Sequence, residues 1–176
     1  DLKNKLASIA DLILDKNDVF YLDYPLHLNV GDWLIYHGTE QFFTDHNIRV
    51  TLKRSEFDVD IEELKQKITP NTTILLHGGG NFGDLYPQHQ KIRETVVETF
   101  PHNRVIVLPQ TLFYKSQETL EKSAALFTQH SDCHLMARDE RTAKTFEQFS
   151  ANIYLSPDMA HELYRTLPTK NTQSGN

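Results

Sequence analysis

Two kinds of apolar segment alternate along the chain, and this alternation limits the fold more than any other feature. Short β-branched or aromatic runs, typical of buried strands, occur at 19–22, 48–52, 73–76, 104–108, 133–137 and 153–155. Segments with the apolar spacing of helices lie at 2–13, 32–46, 60–68, 87–100, 117–129, 139–149 and 157–164. This order predicts an α/β fold, in which a Rossmann-like parallel sheet carries helices on both faces.

Length and composition narrow the class of protein. The 176 residues fit one domain of ordinary size, and the net charge of −6 argues against a nucleic-acid partner. The single cysteine, Cys133, excludes an intrachain disulfide and fits a reducing compartment, so we expect a cytoplasmic protein. No run approaches the roughly 18 apolar residues of a membrane span. We assign residues 1–167 to a Rossmann-like N-terminal domain and predict that the polar tail at 168–176 is disordered.

A glycine-rich segment at 77–84, with the sequence HGGGNFGD, directly follows the third predicted strand. Ligands of parallel α/β sheets bind beyond the carboxyl ends of the strands, where we expect this segment to form a loop. Its exposed amide groups suit an anion, although a tight structural turn fits equally well. A dinucleotide site is disfavoured, because Pro87 delays the next helix and no acidic residue ends the following strand. No Gly-Lys-Ser/Thr of a Walker loop follows either.

Three shorter signals follow other strands. In the N-V-G-D segment at 29–32, Asn29 or Asp32 can cap the next helix, and a helix N-terminus also suits an anion. Arg138 ends a strand, where its guanidinium can clamp a carboxylate or phosphate, or form a salt bridge with Asp139, Glu140 or Asp158. Asp158 itself can be a helix cap. The histidines show no metal-ligand spacing, so no metal site is predicted.

These signals occur together and in order, with a Pro-Gln turn at 108–111 between them. The series N-x-G-D at 29–32, H-G-G-G-N-x-G-D at 77–84, the Pro-Gln turn, A-R-D-E at 137–140 and P-D-M-A at 157–160 resembles the polysaccharide pyruvyltransferase family. The likeness is to members from exopolysaccharide and biofilm-matrix clusters of Gram-positive bacteria. It implies one half of a two-domain, GT-B-like fold with its site in the cleft between the domains. We therefore expect half of an active site, and a chain that is inactive by itself.

The resemblance implies transfer of a pyruvyl group from phosphoenolpyruvate to a sugar of an exopolysaccharide or its lipid-linked precursor, with formation of a ketal and without a cofactor. In this scheme Arg138 clamps the anion, Asp84 or Asp32 orients or deprotonates the sugar hydroxyls, and His77 carries the proton because an unperturbed histidine titrates near neutrality. The substrate-binding positions are Asn29, Gly31, Gly78, Gly79, Gly80, Asn81, Gln110 and Asp158.

Two alternatives stay open. A sugar-nucleotide glycosyltransferase has the same GT-B-like architecture but uses a nucleotide donor. A non-catalytic carbohydrate-binding or assembly module needs no donor. The implied partners are phosphoenolpyruvate and a saccharide acceptor, and a lipid-linked acceptor would bring the protein close to a membrane. Self-association also stays open, because one half of a two-domain fold exposes apolar surface.

Overall fold

The computed structural model describes residues 2–26 and 29–164. The helices are α1 (Leu2–Leu12), α2 (Val30–Asp45), α3 (Ile61–Lys67), α4 (Pro87–Thr99), α5 (Gln117–Thr128) and α6 (Glu140–Phe146), followed by a 3₁₀ helix at Met159–Leu163. The strands are β1 (Val19–Tyr24), β2 (Val50–Ser55), β3 (Thr73–Leu76), β4 (Gly79–Gly83), β5 (Val105–Phe113), β6 (Cys133–Ala137) and β7 (Asn152–Leu155).

The strands form one parallel sheet in the order β2-β1-β3-β5-β6-β7, and β4 pairs with β5. Both β3 and β4 lie along β5: Leu75 is opposite Ile106, and Gly79 is opposite Gln110. The two short strands therefore act as one interrupted strand beside the longer β5. The parallel sheet confirms the α/β class expected from the alternating pattern.

Strand residues alternate between two apolar cores, one on each face of the sheet. On one face, Phe20 and Leu22 belong to a core with residues of α3, α4, α5 and α6. On the other, Val19 and Tyr21 belong to a core with residues of α1, α2 and the 3₁₀ helix. Burial on both faces explains why these strands are continuous apolar runs. Helices on both faces, as the sequence predicts, are confirmed.

The segments predicted as a glycine loop and a Pro-Gln turn are strands instead. Residues 79–83 form β4, and β5 continues through Pro109 and Gln110 to Phe113. A proline is tolerated in β5 because the pairing with β6 shifts between Val107 and Gln110, at an irregularity where a ladder hydrogen bond is dispensable. At Gly83, φ is +131° and a Cβ would overlap the Phe113 carbonyl oxygen, so glycine permits this close strand pairing.

The C-terminal part of the fold also differs in detail from the prediction. Helix α6 ends at Phe146 rather than at Phe149, and the last helix is a 3₁₀ helix that begins at Met159. Its start packs against Gly38 of α2, where any Cβ would overlap the Met159 backbone. The tail predicted at 168–176 lies outside the described residues. In the described part of the chain, none of the helices combines the length and apolar character that a bilayer crossing requires.

Candidate active site

A polar pocket of about 490 Å³ lies at the carboxyl edge of the sheet. Its lining follows the ends of β1, β2 and β3 and includes the first turns of α2 and α4. The pocket therefore occupies the position at which parallel α/β sheets bind ligands. The residues that line it are Pro25, Asn29, Asp32, Glu56, Phe57, Gly80, Asn81, Tyr86 and His89.

The N-terminus of α2 forms one wall of the pocket. Asn29 is the N-cap, and its side-chain oxygen accepts a hydrogen bond from the Asp32 backbone N–H at 2.9 Å. Capping therefore falls to Asn29, and the Asp32 carboxylate stands in the first turn, at the positive end of the helix dipole. Gly31 lies between these two lining residues but is not itself part of the lining.

Strand β4 contributes another part of the wall, through Gly80 and Asn81. Gly79 has φ of +121°, a conformation that favours glycine, and turns the chain into this strand. Gly78 packs tightly on Pro109, since a Cβ there would lie 2.7 Å from the Pro109 carbonyl oxygen. Of the three glycines predicted to contact substrate, the structure places Gly80 in the pocket wall, while Gly78 and Gly79 shape the backbone beside it.

Gln110 supports the pocket from behind and is fully buried. Its amide nitrogen donates to the His77 carbonyl oxygen at 2.9 Å and to Asn81 Oδ1 at 3.0 Å. Its side-chain oxygen accepts from the Asn81 backbone N–H at 3.3 Å. Gln110, which was predicted to bind substrate, is thus engaged in hydrogen bonds that hold β4 in place.

Arg138 lies beside Gly80, where its Nη2 would be 3.5 Å from a Cβ. Its Nε and Nη2 donate to Thr111 Oγ1 at 3.1 and 2.9 Å, and its Nη1 is 3.7 Å from Asp158 Oδ2. Asp158 also caps the 3₁₀ helix through the Ala160 N–H at 2.9 Å. The alternative of a salt bridge to Asp158 is therefore observed, although loosely, and the guanidinium still lies next to the pocket wall.

Asp84 lies apart from the pocket lining. Its carboxylate accepts hydrogen bonds from the Lys115 N–H at 2.8 Å and the Ser116 N–H at 3.0 Å, just before α5. Because backbone amides already hold this carboxylate, the structure gives Asp84 a bracing role. Of the two aspartates predicted to act on the sugar hydroxyls, Asp32 is the one that lines the pocket.

His77 does not have the near-neutral pKa on which its predicted role as proton carrier depends. Burial, with smaller contributions from the nearby Arg93 and His89, lowers the pKa of this histidine to about 3. Its Nδ1 lies 2.6 Å from the Tyr21 hydroxyl, deep in the sheet. The imidazole is therefore neutral around pH 7, and proton transfer must be sought elsewhere.

The sequence analysis missed a cluster of charged side chains at the floor of the pocket, which we call the His89 cluster: Asp23, Glu56, His89 and Arg93. Asp23 Oδ1 lies 2.6 Å from His89 Nδ1, and Glu56 Oε2 lies 2.9 Å from His89 Nε2. Arg93 Nη2 is 3.6 Å from Asp23 Oδ2. One imidazole thus connects a carboxylate near the end of β1 with a carboxylate just after β2. The available signal was Asp23, a charged residue at the end of an apolar strand.

Burial of Asp23 disfavours its charged form, and the neighbouring His89 and Arg93 offset this effect only in part. Burial raises the pKa of Asp23, while the His89 hydrogen bond and the Arg93 charge act in the opposite direction. Asp23 also has φ of +73°, unusual for a residue with a side chain. Arg93 donates to the Asn81 carbonyl oxygen at 3.1 Å and to the Asn81 side chain. The cluster is therefore connected directly to the β4 wall.

A parallel sheet with helices on both faces and a polar pocket at its carboxyl edge defines a Rossmann-like ligand-binding domain. A solved structure of a Klebsiella pneumoniae protein has the same fold, with a TM-score of 0.64 over 97% of this chain and 61% of that chain, at 21% identity. Residues 29–174 match the family model described as "Polysaccharide pyruvyl transferase". The chain belongs to this family.

Two curated relatives agree with this family. EpsO of Bacillus subtilis (strain 168) is 40% identical over 171 residues, which are 96% of this chain and 52% of EpsO. Pyruvyl transferase 1 of Schizosaccharomyces pombe is 36% identical over 129 residues, which are 70% of this chain and 32% of that protein. The chain thus spans about half of the first relative and about a third of the second.

Proposed function

We propose that this chain supplies one half of the active site of an enzyme that transfers a pyruvyl group from phosphoenolpyruvate to a sugar. The acceptor is part of an exopolysaccharide or of its lipid-linked precursor, the product is a ketal, and the reaction takes place in the cytoplasm without a cofactor. The remaining half belongs to a second Rossmann-like domain of a GT-B-like enzyme. Family membership supports the class of reaction, and the pocket supports the assignment of half of the active site to this chain.

The composition of the pocket is the observation that carries this proposal. Asp32 and Glu56 present carboxylate oxygens, which suit the hydroxyl groups of a sugar. Phe57 and Tyr86 also line the pocket and are 55% and 54% exposed. Aromatic rings that reach solvent at the edge of a pocket suit contact with the apolar face of a pyranose ring. A sugar acceptor therefore fits this half better than a second anion would.

The donor fits at the Gly80 end of the pocket. Phosphoenolpyruvate carries a carboxylate and a phosphate, and both require positive partners. Arg138 lies beside Gly80, and the positive end of the α2 dipole also lies in the pocket wall. We assign Arg138 to the donor carboxylate or phosphate and Asp32 to a sugar hydroxyl. Further cations come from the second half of the site.

A donor test with the full-length enzyme examines this proposal. Phosphate release is measured with phosphoenolpyruvate and lipid-linked oligosaccharides, in parallel with binding of a panel of nucleotide sugars. Arg138→Ala should lower kcat/KM for phosphoenolpyruvate about 10²–10³-fold, because it removes a cation from the developing phosphate charge. The matched control is Arg141→Ala, an exposed arginine on α6 outside the pocket, which should change turnover less than about twofold.

Two outcomes would contradict the proposal. Binding of a nucleotide sugar without any phosphate release from phosphoenolpyruvate would indicate the glycosyltransferase alternative. Sugar binding without turnover of any donor would indicate a non-catalytic module.

A further inference from the structure

We infer that His89 and Glu56 are the catalytic pair that moves protons in this site, and that Asp23 and Arg93 are positioning residues for them. The inference rests on the proposed pyruvyl transfer and adds the residues that perform its proton steps. It reassigns the role predicted for His77 to a histidine that lines the pocket.

The hydrogen bonds of His89 require a transferable proton. Asp23 Oδ1 lies 2.6 Å from Nδ1, so one proton lies between these two atoms. Nε2 then faces Glu56 Oε2 at 2.9 Å, and both atoms are acceptors unless one of them carries a proton. One proton is therefore shared between His89 and Glu56. Either residue can deliver this proton or receive one.

Accessibility divides the His89 cluster into two layers. His89 and Glu56 line the pocket, with side chains 11% and 10% exposed. Asp23 and Arg93 lie beneath them, with side chains 0% exposed. The upper pair can touch a substrate, whereas the lower pair acts only through it. Arg93 also binds Asn81 of the pocket wall, so the cluster and β4 are aligned by the same side chain.

The proton balance of ketal formation matches one group that both donates and accepts. The proton shared by His89 and Glu56 is transferred to C3 of phosphoenolpyruvate, which becomes a methyl group, and C2 becomes electrophilic. The first sugar hydroxyl bonds to C2 and returns its proton to the pair. The C2–O bond to phosphate then breaks with its electrons on phosphate. The second hydroxyl bonds to C2, and its proton leaves with the phosphate.

Variants of the full-length enzyme test this assignment against a purely structural role. His89→Asn and Glu56→Gln should each lower kcat about 10²–10⁴-fold, while the Kd for phosphoenolpyruvate changes less than about threefold. Glu56→Gln should also remove one limb of the pH–rate profile. Asp23→Asn should reduce kcat less and shift the profile. The matched control His134→Asn removes a similar histidine–carboxylate pair at the amino edge of the sheet and should leave kcat and the profile unchanged.

Isotope transfer provides a second measurement. In D₂O, the wild-type enzyme should place deuterium in the methyl group of the product, and the two catalytic variants should slow this transfer in proportion to kcat. If His89→Asn does not fold, His89→Gln together with Glu56→Gln decides the question. A wild-type enzyme with no activity towards phosphoenolpyruvate overturns the proposed function. An active wild type whose His89 and Glu56 variants keep near-normal kcat overturns only the inference.

Discussion

Two histidine–carboxylate pairs lie at opposite edges of the sheet and differ in what surrounds them. At the carboxyl edge, His89 lies between Asp23 at 2.6 Å and Glu56 at 2.9 Å. At the amino edge, His134 lies between Asp132 at 2.8 Å and the Tyr154 hydroxyl at 3.1 Å. The first imidazole therefore has an acid on each side, whereas the second has an acid and a weakly acidic phenol.

The pKa values of Asp23 and Asp132 shift in opposite directions, because Asp23 is the more deeply buried of the two. Burial raises the pKa of Asp23, and its hydrogen bond to His89 does not reverse the shift. Burial also acts on Asp132, but hydrogen bonds from His134 and Arg104 outweigh it, and the pKa of Asp132 is lowered. The Asp132 side chain is 33% exposed, whereas that of Asp23 is fully buried. A histidine–carboxylate pair is thus a partly exposed ion contact at one edge of the sheet and part of a buried proton-sharing cluster at the other.

The arginines of the two clusters should show the largest difference. Arg93→Met removes the cation nearest to Asp23 in the sheet interior and should lower the free energy of unfolding by about 3–5 kcal/mol. Arg104→Met removes a 3.1 Å ion pair to Asp132 near solvent and should cost about 1 kcal/mol or less. Urea unfolding of both variants measures the losses. Equal losses would mean that the two edges do not differ in the way described.

A third carboxylate tests whether burial sets the direction of these shifts. Glu162 of the 3₁₀ helix is fully buried, with Lys3 Nζ at 3.6 Å, and burial together with the nearby Asp45 raises its pKa to about 7. Because this folded value lies above the unfolded one, the contribution to stability is complete below about pH 4.3 and is lost as the pH rises to about 7.

Glu162→Gln should therefore remove most of the decline in the free energy of unfolding, about 2 kcal/mol, that we expect of the wild type between about pH 4 and 7. Thermal or urea unfolding at several pH values measures this effect. A variant with the same slope as the wild type would show that Lys3 and His46 compensate fully for burial.

The smallest expected effect is a difference in how the destabilisation caused by two Asp→Asn substitutions depends on pH. Asp132 has a lowered pKa, so its contribution to stability is present above the pKa of the unfolded state and is lost as the pH falls. The loss of stability caused by Asp132→Asn should therefore become smaller towards acid pH. Asp23 has a raised pKa, so its contribution is lost as the pH rises, and the cost of Asp23→Asn should shrink towards alkaline pH. Unfolding measured from pH 4 to 8 gives both slopes, and slopes of equal sign would contradict the comparison.

The sequence predicts the main layers of the fold because burial on both faces leaves a local signature in every central strand. The run at 73–76 is β3 without change, and the run at 133–137 is β6. The errors fall where local chemistry and long-range pairing disagree. Glycines and Pro109 are typical of turns, but pairing between β4 and β5 over about thirty intervening residues keeps both segments extended.

The candidate site is predictable in part for the same reason. Asn29, Asp32, Gly80 and Asn81 belong to compact motifs, and the structure brings all four into one pocket. The His89 cluster has no such motif, because its members come from the ends of β1 and β2 and from the first two turns of α4. His89 lies next to Asp23 only because the chain crossover places α4 at the end of β1. The spacing of residues within one segment cannot predict a contact between residues so far apart in the sequence.

Because Gly83 pairs closely with Phe113, substitutions at the two motif glycines Gly80 and Gly83 should have different consequences. Any side chain at position 83 collides with the backbone of Phe113, so such substitutions should lower the amount of folded protein in the cell. At position 80 a methyl group meets only the tip of Arg138 at ordinary contact distance, so a folded protein with an altered binding surface would survive. A mutational library scored once for cellular abundance and once for polymer pyruvylation would separate these two positions although they are three residues apart.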